Sequence, residues 1–385
     1  MNRPVIAISM GDPFGNGPEI TVKALSRKEI YERCRPFVVG DRSSMEYACK
    51  VVEAVCQIRA KIHVIRDISE ALFTCGTIDL LDLGLVPEDQ YPDLAVPEAD
   101  GDPSSPDMKS PGKKPVPAPL GIGSTPLGGE AAFSYVVKVI ELAMSGKADA
   151  TVTNAISKEA IHMAGHDFSG HTEIYAHYTN TRKYAMMLAH DDLRVIHVST
   201  HVSLREACDR VRKDRVLECI RLADQACRAM GIVRPKIGVA GLNPHCGEGG
   251  LFGREEIEEI QPAIDAAAAE GICIPDGKPA PPDTIFSKAL GGWYDVVVAM
   301  YHDQGHIPLK VKGFVYDREK KRWDAVSGIN ITLGLPIIRV SVDHGTGFDQ
   351  AGNGQCSDLS LVSSIDYAIR FARGTVLCPR CPSCS

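Results

Sequence analysis

The stretch DVVVAMYHDQGHIPLK, Asp295–Lys310, decides how this chain is read. After Asp295 comes an apolar, β-branched run that predicts a buried strand. Within one short loop there follow His302, Asp303, Gln304, Gly305, His306 and Lys310. In sheets built from alternating strands and helices, ligands collect beyond the carboxyl ends of the strands. A buried strand that opens onto this much titratable chemistry therefore points to an α/β protein with its site at the strand ends.

The segments around it repeat the pattern. VIAIS (5–9), FVVGD (37–41), DATVTN (149–154), LRVIHVS (193–199), KIGVAGLN (236–243) and PIIRVSV (336–342) all read as strands. GDPFGNGPEITVKAL (11–25) turns from a loop into a helix, with Pro18 suited to its first turn. EAAFSYVVKVIELAMSGK (130–147) has helical periodicity and stops at Gly146. Strands alternating with helices predict α/β layers around a largely parallel sheet.

The chain has 385 residues, which favours two domains or one large one. It is 44% hydrophobic and 24% charged, enough apolar residue for a sizeable core. The net charge of -7 gives no basic field for nucleic acid or an anionic membrane. A small anionic substrate would need a local cationic pocket. No segment has the length of a membrane span or a signal-peptide core. Most of the thirteen cysteines lie singly in helical or strand patterns, as in a reducing, cytoplasmic compartment. The tail CPRCPSCS holds Cys378, Cys381 and Cys384, one ligand short of a usual structural zinc set. Ten prolines between Pro87 and Pro126 mark a surface excursion, and the charge run VYDREKKRWDAV (315–326) marks a solvated hairpin or loop.

Three histidines come directly off predicted strands: His201, His245 and His302. If those strands share a sheet, the imidazoles converge as three neutral ligands for a divalent metal. The alternative is that each is a satisfied loop residue. Lys310, Asn330 and Arg339 form a second group. Arg339 interrupts an apolar strand, where a guanidinium needs an anion, either a substrate or a structural carboxylate. The loop DHGTGFDQAGNG (343–354) has four glycines and a flanking aspartate, suited to close approach of a ligand or to an ordinary turn. The opening GDPFGNGPE matches a dinucleotide fingerprint only at Gly15 and Gly17, with Ile20 in place of the third glycine. A hydrolase or lyase that activates water on three histidines, and a non-catalytic metal-binding protein, remain rival readings. Both leave the 343–354 loop or the cationic group without a role.

GDPFGNGPE, SGHTE, STHVSL, GLNPHCGEGG, PPDTIF, YHDQG with its following LK, NITLGLP and SVDHGTGFDQAG occur in the order found in one family. Over most of its length the chain resembles the 4-hydroxythreonine-4-phosphate dehydrogenases. The resemblance implies two α/β/α domains with a cleft between them, similar to isocitrate and isopropylmalate dehydrogenases. The outer domain would be 1–155 plus 335–385, with an insertion at about 86–126. The inner domain, 156–334, would form the dimer and carry the metal ligands. It implies NAD or NADP and a divalent metal: zinc, with magnesium or cobalt also accepted. The metal ligands would be His201, His245 and His302, the last reaching into the neighbouring subunit of a homodimer with a shared site. Substrate contacts would be His171, Thr172, Lys310, Asn330 and Arg339. Asp283 and Asp303 match acidic positions near the metal, and with Lys310 they are the candidates for the catalytic base. Asp343, His344, Gly345, Thr346, Asp349, Gly352 and Asn353 would hold the cofactor, while His306 reads as a bystander. The implied reaction oxidises the secondary hydroxyl of a phosphorylated hydroxy acid and then decarboxylates the 3-oxo acid. Paralogues of this kind act on 4-phosphothreonate, 4-phosphoerythronate or cyclic dihydrodiol carboxylates. The proline-rich and charged insertions, the cysteine tail, and Gly347 where the family more often has alanine are departures that leave the substrate open.

Overall fold

The computed structural model of the protein describes residues 3–92, 119–318, 322–326 and 328–377. Most of the proline-rich stretch and the tail cysteines Cys378, Cys381 and Cys384 lie outside these residues. Among the described residues thirteen strands run in chain order: β1 Val5–Ser9, β2 Arg35–Gly40, β3 Lys61–Ile65, β4 Thr77–Asp82, β5 Ala150–Thr153, β6 Ala185–His190, β7 Leu193–His197, β8 Ile237–Val239, β9 Val296–Ala299, β10 Phe314–Asp317, β11 Arg322–Val326, β12 Ile329–Leu333 and β13 Arg339–Val342. The chain divides into two compact units. The first is Met1–Ala148, Thr153–Ile174 and His344–Leu361; the second is Asp149–Val152, Tyr175–Asp343 and Val362–Ser385.

The first unit follows the expected α/β plan. Its strands lie in the order β3-β4-β2-β1 and pair in parallel throughout. Ile6, Ile8, Phe37, Val38 and Leu80 are buried in it, because strands covered on both faces are apolar at every position. Helix Gly17–Leu25 has Pro18 in its first turn, where the missing N–H costs nothing. Helix Pro126–Met144 is capped by Thr125, whose side chain accepts from Gly128 N, and Gly146 beyond its end has a φ of +73°.

The second unit corrects the expectation of a largely parallel sheet. Its order is β5-β13-β12-β6-β7-β9-β8, and three of its pairings are antiparallel: β12 with β13, β12 with β6, and β6 with β7. The reason lies in the connections. Asp191 and Asp192 alone join β6 to β7, and Gly334–Ile338 joins β12 to β13, both too short for a crossover helix. β7, β9 and β8 pair in parallel. The charged segment forms the antiparallel hairpin β10–β11. Leu188, Val195, Val297, Ala299, Phe286 and Leu309 pack into one core here.

The residues after β9 differ from expectation as well. They are not a short loop: helix His302–Gly313 starts directly at His302, with Tyr301 as its N-cap residue and Pro308 inside it. Gly305 and Leu309 face the sheet, and burying Leu309 contributes about 1.5–3 kcal/mol to holding the helix there. His302, His306 and Lys310, four residues apart, lie along one helix face.

Candidate active site

Because β7, β9 and β8 are parallel neighbours, the segments that follow them leave the sheet at the same edge. That places His201 and His302 side by side, with ring centroids 5.7 Å apart. Both line a cleft of about 450 Å³ together with Thr200, Val202, Ser203, Leu204, Ala207, Tyr301 and Asp303. Ser199 Oγ donates to Met300 O at 3.1 Å, tying the two segments together. The Nδ1 of His302 lies 2.6 Å from Asp303 Oδ1, which leaves its Nε2 for a ligand.

His245 sits in an unusual backbone. Residues 245–249 all have φ between +44° and +76°, among them the non-glycines His245, Cys246 and Glu248. Each such residue costs on the order of 1 kcal/mol, and strain of this kind gathers at functional sites. The buried Glu256 carboxylate holds the turn's entry. It accepts from Leu242 N at 2.8 Å, Asn243 N at 2.7 Å and Asn243 Nδ2 at 3.0 Å. A side chain on Gly247 would meet Glu256 Oε2 at 2.9 Å, so only glycine fits there. Buried Gln304 joins the neighbouring strand ends, accepting from Met300 N at 2.6 Å and donating to Gly241 O at 2.8 Å. Asp283 is exposed. Cys246 is pushed up to about 11 by burial and Glu256, with Asp283 adding a smaller share. Among the described residues no group of three or more His, Cys, Asp or Glu is arranged to hold a metal. The fold thus brings two of the expected ligands together, His201 and His302, and does not gather His245 with them into such a set.

The sequence reading takes His306 as a bystander and does not name His197. The ring of His306 stacks on His302 at 3.6 Å with a 12° angle between planes, and lies 4.7 Å from His197. Burial pushes His306 down to about 4 and fully buried His197 down to about 3. The i, i+4 spacing of His302 and His306 was the available signal.

Arg339 on β13 is 2% exposed. Its guanidinium donates to Thr332 Oγ1 at 3.0 Å and Asn330 Oδ1 at 3.5 Å, and lies 5.7 Å from the Tyr175 ring centroid. Burial lowers its pKa to about 10, with Tyr175 opposing. The antiparallel register pairs Thr332 with Arg339 and Asn330 with Ser341, which explains why the three polar side chains meet. Lys310 is engaged by the Asp343 carboxylate, donates to Asp343 O at 3.2 Å, and its Nζ lies 4.1 Å from the Phe314 ring centroid. Lys310 and Asp343, read from sequence as substrate and cofactor contacts, are thus partners of each other.

In the first unit, His171 and Thr172 open a helix that runs to Tyr178. The glycine-rich loop is held by the N-terminal motif. Asn16 N donates to Thr346 O at 2.7 Å. The Glu19 carboxylate accepts from Gly352 N, and from Gly354 N at 2.8 Å. Lys23 Nζ donates to Gly354 O at 2.6 Å and Cys356 O at 2.7 Å, and Arg27 pairs with Asp358 at 2.8 Å. Burial raises the Glu19 pKa against the pull of these bonds. His344 Nδ1 lies 2.9 Å from Gly345 O, Asn353 Oδ1 accepts from Gln355 N at 2.8 Å, and Asp349 is exposed. Gly347 has φ +59°, and a Cβ there would lie 2.6 Å from Asn16 Nδ2, which accounts for glycine at this position.

The architecture is that of an α/β enzyme with polar chemistry gathered beyond parallel strand ends, and comparison with known proteins makes the class more specific. The sequence model of the family described as "Pyridoxal phosphate biosynthetic protein PdxA" matches residues 32–368. D-threonate 4-phosphate dehydrogenase of Cupriavidus necator is 42% identical over 370 residues, covering 96% of this chain and 97% of that one. The enzyme of the same name from Pectobacterium atrosepticum is 42% identical, covering 96% and 99%. A crystal structure of a 4-hydroxythreonine-4-phosphate dehydrogenase from Burkholderia phymatum aligns with a TM-score of 0.75 at 39% identity, covering 96% of this chain and 99% of that one. The protein is an oxidoreductase acting on a CH–OH group. It belongs to the PdxA family. No helix among the described residues is long and apolar enough to cross a membrane.

Proposed function

We propose that this protein is a metal-dependent NAD(P) dehydrogenase that oxidises the secondary hydroxyl of D-threonate 4-phosphate. The observation that carries this is 42% identity over 96% of the chain to two enzymes of that name. A second reading, 4-hydroxythreonine 4-phosphate, is favoured by the structural neighbour at 39% identity. The two substrates differ only in carrying a hydroxyl or an amine beside the carboxylate. In both, the secondary hydroxyl lies β to the carboxylate and next to the phosphorylated carbon. Oxidation therefore gives a 3-oxo acid, from which carbon dioxide leaves.

The donor chemistry suits a divalent metal in part: the Asp303 contact takes Nδ1 of His302 and leaves its Nε2 for a ligand. In this reading His201, His245 and His302 hold zinc, or magnesium or cobalt in its place, and a homodimer completes the set through His302 of the second chain. When bound, the metal polarises the hydroxyl and lowers its pKa. A bound NAD or NADP would supply the hydride acceptor. Asp303, which lines the cleft, takes the hydroxyl proton. Asp283 stands by the His245 turn, and Lys310 is turned to Asp343. Arg339 and Asn330, with His171 and Thr172, bind the phosphate and carboxylate. Residues 343–353 carry the cofactor on the loop that Glu19 pins. The same reading gives 1–155 plus 335–385 and 156–334 the outer and inner roles of an isocitrate-dehydrogenase-like pair.

The test is reduced-cofactor formation by the purified protein with each metal and with NAD or NADP. D-threonate 4-phosphate, D-erythronate 4-phosphate, 4-hydroxythreonine 4-phosphate and a cyclic dihydrodiol carboxylate are compared. Highest kcat/KM on D-threonate 4-phosphate, with release of a phosphorylated hydroxyketone, is expected. Preference for the amino acid substrate moves the protein to the second reading, and turnover of the cyclic substrate alone refutes both. Mixing a His201→Ala chain with a His302→Ala chain tests the shared site. Recovered activity is expected, and none despite proven subunit exchange rules the shared site out.

A further inference from the structure

We infer that His306, seated against His197, is a positioning residue that fixes the ring of His302. The inference rests on the reading that His302 is a metal ligand. Three observations carry it. First, the His306 ring lies face to face with His302, at 3.6 Å and 12°. Second, His306 Nδ1 lies 2.9 Å from His302 O, so Nδ1–H donates to the carbonyl of the very residue whose ring it covers. The hydrogen bond holds the His306 ring in place, and the stack presents that ring as a wall against one face of His302. Third, His306 has a rigid seat. Its ring is 4.7 Å from His197, which is fully buried on β7. Gly305 lies so close that an added Cβ would be 2.3 Å from His197 Nε2, so the helix backbone packs directly against the His197 ring.

The geometry complements the Asp303 contact. Asp303 Oδ1 takes the Nδ1 edge of His302, and His306 takes one face of the ring. The remaining edge, Nε2, is left for a ligand. Outer partners that hold a ligating imidazole in one orientation are worth about 10–100-fold in metal affinity. His306 touches neither substrate nor reacting atoms in this arrangement. Its effect runs through His302.

The test uses the full-length protein stripped of metal and titrated with zinc against a chromogenic chelator. His306→Ala is expected to weaken zinc binding by about 10–100-fold. His306→Phe keeps a ring for the stack and is expected to recover part of that loss, which also guards against a folding defect in the alanine variant. In steady-state assays His306→Ala lowers kcat at saturating metal while KM for the cofactor stays unchanged. A His306→Ala protein that binds zinc with wild-type affinity, while His302→Ala does not, overturns the inference and leaves the ligand reading standing. Wild-type affinity in His302→Ala itself refutes the ligand reading, and the inference falls with it.

Discussion

Asp12→Asn is expected to change how stability depends on pH. Asp12 is 1% exposed, in the loop that follows β1. One carboxylate oxygen accepts from Phe14 N at 3.0 Å, and the other, Oδ2, is buried without a hydrogen-bond partner among the described residues. Burial pushes the carboxyl up to about 7 from 3.8, with the Phe14 bond opposing. The folded protein therefore holds this proton more tightly than the unfolded chain does. Stability from this group is fully present below the unfolded pKa and is lost as pH rises through about 7. At about 1.4 kcal/mol per decade of proton affinity, the loss approaches about 4 kcal/mol between the acid and alkaline limits. Asparagine keeps the oxygen that Phe14 needs and carries no charge. Its amide hydrogens add a buried donor at a cost of about 1–3 kcal/mol, but that cost does not vary with pH. The quantity to read is therefore a slope. Unfolding midpoints in urea for wild type and variant, measured from about pH 5 to about pH 8, should diverge in the variant's favour up to about pH 7 and then run parallel. Profiles parallel throughout would refute the assignment of a buried, proton-holding carboxyl at this position.

Gly305→Ala would place a methyl 2.3 Å from His197 Nε2 and 2.7 Å from Val195 Cγ1, and should lower stability by about 1–3 kcal/mol, read as a fall in Tm. Glu19→Gln replaces a carboxylate that accepts from Gly352 N and Gly354 N with a group that has one acceptor oxygen. It should speed hydrogen exchange in peptides covering the 346–356 loop and raise KM for the nicotinamide cofactor, and unchanged exchange counts against the pinning role. Arg339→Met removes the donor shared by Thr332 and Asn330. It should lower kcat/KM for phosphorylated substrates by about 10–100-fold, the worth of a charge-assisted contact, and equal activity in the variant would remove Arg339 from the anion site.

The parts of the fold that were legible in the sequence were those whose cause is local. Runs such as VVVA and LRVIH are strands because β-branched side chains covered on both faces have few alternatives. That was enough to place His201 and His302 at neighbouring strand ends. Pairing direction was harder, since it depends on connection length rather than on the strands. The two residues between His190 and Leu193 force an antiparallel turn, but β6 itself, AMMLAH, lacks the β-branched signature that would have marked it. His197 escaped notice because it lies inside an apolar strand, where alternation of side chains says only that it points to one face or the other.

Both arrangements that organise the candidate site are polar faces at helical spacing, and apolar periodicity is blind to them. His302, His306 and Lys310 recur every four residues, but Gly305 and Pro308 between them are the usual signs of a loop. The helix forms regardless, because Gly305 can approach His197, Leu309 is buried in the sheet's core, and the preceding strand delivers His302 as its first residue. Tertiary packing overrides a poor local preference, and the two breakers become the means of close approach. Glu19, Lys23 and Arg27 show the same spacing in the N-terminal motif. Judged as a dinucleotide fingerprint the motif fails at Ile20, which is buried. Judged as a helix that puts Glu19 and Lys23 on one face, with Arg27 just beyond its end, it succeeds, since all three side chains reach into residues 352–358. Its glycines let the turn close, and its charges hold a second glycine-rich loop. The motif therefore gives mechanical support to residues 346–358, and it is the charged spacing, not the glycine spacing, that carries the information.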